Sequence, residues 1–276
     1  VMGGGSYDYI ASSTRSRSYA NQSRETVFHN ESIYKDMIIN GKIRESRDSE
    51  EHPESFPIII GLDVTGSMGY IPEYLIKDAF PEIMKTILDA GVKDPQVCFM
   101  AFGDQYSDRS PIQVGQFESS DELMEKWLKN TYIESGGGGD GAESPNLVWF
   151  TALNNVDTDS YNLRNKKGVI ITISDEACHK SINKATLQKY FGIISEKDLP
   201  TSKLLEDTKE KWDVYHINYK NGGCGRDKDT VSCWSKLLGE NYITSTDRDA
   251  KDIVDIIPEL VLRSYNSETP EIELGD

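Results

Sequence analysis

Hard oxygen donors are concentrated in three short segments of this 276-residue chain. Residues 63–69 contain Asp63, Thr65 and Ser67, residues 138–143 contain Asp140 and Glu143, and residues 173–175 end in Asp175. Carboxylate and hydroxyl oxygens, with no His or thiolate required, favour Mg²⁺, with Mn²⁺ or Ca²⁺ as alternatives, over Zn²⁺ or Cu²⁺. The alternate spacing of Asp63, Thr65 and Ser67 lets one tight loop direct three oxygens inward. These residue types therefore predict a site for a hard divalent cation.

Two of these segments directly follow apolar runs of the kind found in buried strands. Residues 58–62 precede Asp63, and residues 168–173 precede Ser174 and Asp175. Continuous β-branched runs are typical of parallel strands that are covered on both faces. In open doubly wound sheets, ligands bind at the carboxyl ends of the strands, near the point where the strand order reverses. We therefore expect the oxygen-rich segments to meet at that edge of a sheet.

The rest of the chain alternates between strand-like and helix-like patterns. Strands are predicted at residues 58–62, 97–102, 112–117, 168–173, 213–219 and 242–245. Helices are predicted at residues 71–88, with a kink at Pro81, and at residues 121–129, 144–153, 230–238 and 250–265. This alternation implies right-handed crossovers, and it predicts an α/β fold with a doubly wound, mostly parallel sheet and helices on both faces.

The first 55 residues differ from the rest, because they are rich in Ser, Arg, Tyr and Asn and have no sustained apolar period. They are predicted to form an N-terminal extended arm. Within it, Asn40-Gly41 lies between apolar residues, which is the strongest short-range signal for a hairpin. The predicted organisation is an arm with this hairpin at residues 1–55, an α/β domain at residues 56–265 and an acidic tail at residues 266–276.

Composition limits the classes of partner. With 46 acidic and 30 basic side chains, the formal net charge is −16. Nucleic-acid backbones and anionic membranes repel such a body, which argues against both as partners. Because apolar runs fall far short of the roughly 20 residues that span a bilayer, and no signal-peptide pattern is present, we expect a soluble, cytoplasmic protein. The four cysteines form no disulfide framework, although a Cys224–Cys233 disulfide is an open alternative.

The order of the motifs adds a family resemblance. Asp63-x-Thr65-x-Ser67 after an apolar strand, a Gly-rich loop with a polar residue, and a later apolar strand ending in Asp175 together resemble the metal-ion-dependent adhesion site of the von Willebrand factor A (VWA) family. The resemblance covers about residues 56–264. It implies a six-stranded Rossmann-like sheet and a Mg²⁺ bound by Asp63, Thr65 and Ser67, with Asp175 among or just behind the direct ligands. In such domains a carboxylate of a partner protein typically completes the coordination.

The chain departs from the family pattern at two ligands. Thr65 stands where the commonest pattern has Ser, a change that keeps the hydroxyl. The separate Thr ligand of the family has no clear counterpart, and Asp140 stands at the matching place, with Glu143 as a weaker substitute. An additional carboxylate should tighten metal binding and reduce the positive field that an incoming partner carboxylate meets. The motif pairing is more like intracellular and phage-encoded members of the family than like integrins. By resemblance, an AAA+ ATPase is a candidate partner.

The sequence thus favours a non-enzymatic, Mg²⁺-dependent protein-binding module. The alternative is a haloacid-dehalogenase-like phosphotransferase or phosphatase with Asp63 as the nucleophile and Asp175-Glu176 as its acidic metal motif. That class needs a Lys after a later strand to neutralise the phosphoryl charge, and no Lys stands convincingly at that place. As simpler structural roles, Asp63 could cap the following helix, the adjacent Cys178 and His179 could be structural, and His216 could be a core histidine.

Overall fold

The computed structural model of the chain describes residues 5–66, 68–134 and 141–267. Its strands are β1 Arg44–Ser46, β2 Phe56–Asp63, β3 Pro95–Phe102, β4 Ile112–Val114, β5 Ala142–Glu143, β6 Val156–Thr158, β7 Gly168–Ser174, β8 Ala177–Cys178, β9 Ser181–Ile182, β10 Leu199–Pro200, β11 Trp212–Tyr219 and β12 Tyr242–Ser245. Its α-helices are α1 Tyr9–Ala20, α2 Arg24–Val27, α3 Tyr70–Tyr74, α4 Phe80–Asp89, α5 Asp121–Lys129, α6 Asn146–Asn154, α7 Asp159–Arg164, α8 Lys184–Phe191, α9 Thr201–Thr208, α10 Lys228–Leu238 and α11 Ile253–Tyr265.

Six strands form the central sheet in the order β12-β11-β7-β2-β3-β4. All neighbours in this sheet are parallel except β3 and β4, which are antiparallel. The chain moves from β2 to β3 on one side and returns to place β7 on the other side of β2, so the strand order reverses between β2 and β7. The predicted Rossmann-like, doubly wound sheet of six mostly parallel strands is therefore confirmed.

Both faces of the sheet are covered, as the unbroken apolar run in β2 indicates. Ile58, Ile60 and Leu62 pack on one face with the cluster that includes residues of α4 and α11. Ile59 points to the opposite cluster, which contains residues of α6, α9 and α10. Successive side chains of a strand alternate between faces, so one strand serves both cores. None of the described helices has the length and apolar character needed to cross a membrane.

The predicted N-terminal arm contains a helix that is docked on the domain. The side chain of Asp8 caps α1 by accepting from the N–H of Ala11. Ser16 Oγ donates to the carbonyl of Ile76 at 2.7 Å, and Arg15 pairs with two acidic residues of α5. The helix is held by hydrogen bonds and ion pairs made by small and polar side chains, which explains why the sequence shows no apolar period there.

The predicted hairpin around Asn40-Gly41 is wrong, although the turn itself is present. Gly41 has a φ of +71°, and the N–H of Lys42 donates to the carbonyl of Ile39 at 2.6 Å. The residues before the turn form a 3₁₀ helix at Lys35–Met37, whereas β1 pairs in parallel with the distant β6. The turn signal is local, but the backbone donors after it find their acceptors more than a hundred residues away.

The long helix predicted at residues 71–88 is present with an altered centre. A π-helical turn at Leu75–Ala79 joins α3 to α4, immediately before Pro81. Because proline lacks an N–H and its ring crowds the preceding turn, a wider turn at this place accommodates it. The predicted irregularity at Pro81 therefore takes the form of a π-turn.

We expect Arg15→Ala to lower the free energy of unfolding by about 2 kcal/mol, because two acidic residues lose their counter-charge. Arg15 Nε lies 2.8 Å from Glu125 Oε2, and the side chains of Asp121 and Glu125 are only 8% and 5% exposed. Urea denaturation followed by circular dichroism measures the change. The control is Arg17→Ala, an exposed position on the same helix, which should change stability by less than about 0.5 kcal/mol. Equal effects of the two substitutions would contradict this account of how α1 is held.

Candidate metal centre

The candidate site lies where the strand order reverses. In the register of β2 and β7, Leu62 is paired with Ile173. Asp63 and Ser174 follow this pair at the carboxyl ends of the two strands, and Asp175 comes next. The parallel pairing thus brings two segments more than a hundred residues apart in sequence to the same edge of the sheet. This is the place where open doubly wound sheets bind ligands.

Asp63 is held by the loop that follows it. Its Oδ1 accepts from the N–H of Thr65 at 2.9 Å and from Thr65 Oγ1 at 2.6 Å, while Oδ2 has no hydrogen-bond partner among the described residues. Asp63 does not cap the next helix, because the N-cap of α3 is Gly69, without a side-chain bond. Burial raises the pKa of Asp63. The two hydrogen bonds from Thr65 lower this pKa, and the negative charges of Asp175 and Glu176 raise it.

Glu143 is fully buried in the same place. It ends β5, whose register with β8 pairs it with Cys178, and its carbonyl accepts from the N–H of His179. Neither of its carboxylate oxygens has a hydrogen-bond partner in the described part of the chain. Burial raises the pKa of Glu143, and the negative charges of Asp63 and Glu176 raise it further. The pairing of β5 with β8 therefore places a third carboxylate beside Asp63.

Asp175 is buried and oriented by a loop that the sequence reading did not single out. Its Oδ2 accepts from the N–H of Gly223, in the turn after β11. A Cβ at Gly222 would lie 2.2 Å from the same oxygen, so a larger residue has no room there. The Gly222-Gly223 pair in the turn after the strand predicted at residues 213–219 was the available signal, since close backbone approach to a ligand group requires glycine.

Two further acids approach from the loop after β3. Asp108 Oδ2 accepts from the N–H of Asp104 at 2.7 Å, and Asp104 Oδ1 lies 2.8 Å from His179 Nε2. Both acids contribute to raising the pKa of Glu143. Asp104 and Asp108 lie outside the oxygen-rich segments of the sequence, and their one signal there is that they follow a buried strand. The edge of the sheet is therefore strongly acidic.

The structure describes only part of the predicted ligand set. Asp63, Thr65 and Asp175 lie together with Glu143, whereas Ser67 and Asp140 lie outside the described residues. Within residues 5–66, 68–134 and 141–267, no group of three or more His, Cys, Asp or Glu side chains has the arrangement of a metal site. The assignment of Asp63, Thr65, Ser67, Asp140 and Asp175 as ligands stays a prediction.

The chemistry of the described side chains nevertheless fits a hard cation. Three buried carboxylate oxygens, one of Asp63 and two of Glu143, have no hydrogen-bond partner among the described residues. A buried carboxylate normally needs a hydrogen bond, an opposite charge or a metal ion, because losing water costs several kcal/mol. Mg²⁺, Mn²⁺ and Ca²⁺ all prefer oxygen ligands of this kind.

The remaining reactive side chains have structural surroundings. His216 is buried, contacts Thr172 Oγ1 through Nδ1 at 2.8 Å and stacks on Trp234, as a core histidine would. The Cys224–Cys233 disulfide is not formed, since both cysteines are free. Cys224 Sγ faces Glu176, and Cys233 Sγ contacts the carbonyl of Cys178 at 3.6 Å, so the two thiols point to different neighbours.

Comparisons with known proteins show the fold. No protein-family model matches the chain, and no curated protein sequence matches it. The pilus adhesin SpaC from Lactobacillus rhamnosus GG, in its open conformation, aligns with a TM-score of 0.52 and 10% identity over 82% of this chain and 31% of the adhesin. A second structure of SpaC aligns with a TM-score of 0.51 and 11% identity over 82% of this chain and 32% of the adhesin. The proximal thread matrix protein 1 of the mussel byssus aligns with a TM-score of 0.48 and 12% identity over 80% of this chain and 49% of that protein. This chain thus spans about a third of the adhesin and resembles that part of it in fold.

We expect Glu143→Gln to stabilise the metal-free protein by about 1–2 kcal/mol at about pH 8, because it removes a buried carboxylate from acidic surroundings. The measurement is urea denaturation in EDTA. The matched control is Glu196→Gln, which removes an exposed carboxylate and should leave stability nearly unchanged. A loss of stability in EDTA for Glu143→Gln would contradict the account of Glu143 as an uncompensated buried acid.

Proposed function

We propose that this chain is a metal-dependent protein-binding module of the VWA type. In this proposal Asp63, Thr65, Ser67 and Asp175 bind Mg²⁺, with Mn²⁺ or Ca²⁺ as alternatives. Asp140 or Glu143 takes the place of the family's separate Thr ligand. The ion keeps one coordination position for an oxygen of a partner protein. The observation that carries the proposal is the set of buried carboxylate oxygens on Asp63 and Glu143 that have no hydrogen-bond partner among the described residues.

A purely structural role accounts poorly for these oxygens. A buried acid that only stabilises the fold is normally satisfied by hydrogen bonds, as Oδ1 of Asp63 is satisfied by Thr65. The same carboxylate leaves its other oxygen without a partner in the described part of the chain, next to Glu143 with two such oxygens. A divalent cation would neutralise this charge and satisfy these oxygens together.

Protein binding is the function that best matches such a site. Coordination of a partner's Asp or Glu side chain needs an ion held at the edge of a rigid sheet, and in this proposal the ion lies at the carboxyl ends of β2 and β7. The fold likeness to the SpaC adhesin is compatible with an interaction module. An AAA+ ATPase as the partner rests on the family resemblance alone.

A phosphotransferase role is less consistent with the environment of Asp63. A nucleophilic carboxylate must reach the phosphorus atom of its substrate. Asp63 is 1% exposed, and Thr65 holds one of its two oxygens. We therefore expect no turnover of aryl phosphates and no aspartyl phosphate when the protein is incubated with Mg²⁺. Formation of an acid-stable, Asp63-dependent phosphorylated product would instead support the enzymatic alternative.

We expect Mg²⁺ to raise the melting temperature of the wild-type chain and not that of Asp63→Ala, since a ligand that binds only the folded state stabilises it. At a concentration about 100-fold above the dissociation constant, the gain is about 2.7 kcal/mol. Differential scanning calorimetry with Mg²⁺ and with EDTA measures the change. The matched control is Asp89→Ala, an exposed acid on α4, which should keep the full gain. The same shift in Asp63→Ala as in wild type would refute the proposed metal site.

A further inference from the structure

A pocket of about 800 Å³ lies directly beside the candidate metal centre. The short parallel ladder of β5 and β8 contributes residues to both. Ala142 and Ala177, the first residues of these strands, line the pocket, and Ala142 directly precedes the buried Glu143. Cys178, the register partner of Glu143, lines the pocket as well, so the pocket reaches the ladder at the residue pair that carries the buried acid. A ligand in the pocket would therefore lie beside the strand that carries Glu143.

The pocket carries positive charge in a strongly negative chain. Lys180 and Lys236 both line it and are both exposed, and neither forms an ion pair with any described residue. Both ammonium groups lie near the thiol of Cys233. Burial raises the pKa of this thiol, and the positive charges of Lys180 and Lys236 oppose that rise. Asp229 is the one acid among the described residues that line the pocket. We call this site the lysine pocket.

Further groups in the lysine pocket are suited to an anionic ligand. His179 lines it, and Asp104 holds the imidazole through Nε2 at 2.8 Å. The hydroxyl groups of Ser181 and Ser232 belong to the same lining. Hydroxyl and ammonium groups donate hydrogen bonds to carboxylates, and those that involve charges are the stronger. The lining is thus chemically complementary to an acidic ligand, whereas the protein as a whole repels one.

We propose that the lysine pocket binds an acidic segment of the partner protein, next to the carboxylate that completes the coordination of the ion. This inference rests on the proposed function, since it names the chemistry of the partner that the metal centre binds. Lys180 and Lys236 counter the repulsion that the surrounding acids exert on such a segment. The partner segment carries at least two carboxylates, one for the ion and one for the lysine pocket.

The test uses the full chain and a dye-labelled hexaglutamate peptide as the probe, with hexaglutamine as the uncharged comparison. Binding is measured by fluorescence anisotropy in Mg²⁺ and in EDTA. We expect Lys180→Gln/Lys236→Gln to weaken hexaglutamate binding at least about tenfold, because two charge-assisted contacts are lost. Lys85→Gln/Lys93→Gln removes the same charge from exposed positions elsewhere and should weaken binding less than about twofold. Raising the salt concentration from about 0.1 M to about 1 M should abolish the difference.

The outcomes separate this inference from the proposed function. Binding that depends on Lys180 and Lys236 but is equal in Mg²⁺ and EDTA would support the lysine pocket and count against the metal centre. Binding that depends on Mg²⁺ and is weakened equally by both double substitutions would overturn the lysine pocket and leave the metal centre standing. Equal binding of hexaglutamate and hexaglutamine would also overturn it. Competition by inorganic phosphate at lower concentrations than hexaglutamate would assign the pocket to phosphate instead of a peptide.

Discussion

The parallel pairing of β2 with β7 buries like charges at one edge of the sheet, and the rest of the site depends on this constraint. Asp63 and Asp175 lie beside each other because Leu62 and Ile173 are in register. Burial makes the charge of each carboxylate more costly, and proximity adds repulsion between them. The surrounding loops compensate for this burial and repulsion only in part. Thr65 satisfies one oxygen of Asp63 and Gly223 donates to Asp175, while β5 brings in another buried acid.

Much of the fold could be predicted from the sequence, because several strands of the central sheet contain unbroken apolar runs. β2, β3 and β7 are covered on both faces, so their hydrophobicity alone marks them, and the helices between them show amphipathic spacing. The N-terminal residues were harder to interpret. The helix α1 is held by Arg15 and Ser16 and lacks an apolar stripe, and β1 finds its partner in the remote β6. Local patterns carry no information about such long-range polar contacts.

The candidate site was predictable in its position and less so in its members. Asp63, Thr65 and Asp175 follow strands, and strand ends can be located from the apolar runs that precede them. Glu143 follows a Gly-rich loop, where no periodicity indicates which side chain points inward. Its burial depends on the two-residue ladder between β5 and β8, which is too short to leave a pattern in the sequence. Gly223, whose N–H orients Asp175, lies in a turn after β11, and its role depends on the approach of two segments that are distant in the sequence.

The acids of the candidate metal centre and the lysine pocket place opposite fields next to one ladder, that of β5 and β8. Without an ion, an approaching acidic segment would meet attraction from Lys180 and Lys236 and repulsion from Asp63, Glu143 and Asp175 within a short distance. A bound divalent cation would reduce the repulsion by the acids much more than the attraction by the lysines, since it lies among the acids. The affinity for an acidic partner would therefore be coupled to the ion even for carboxylates that never touch it. Because such coupling is reciprocal, the partner would in turn tighten the binding of the ion.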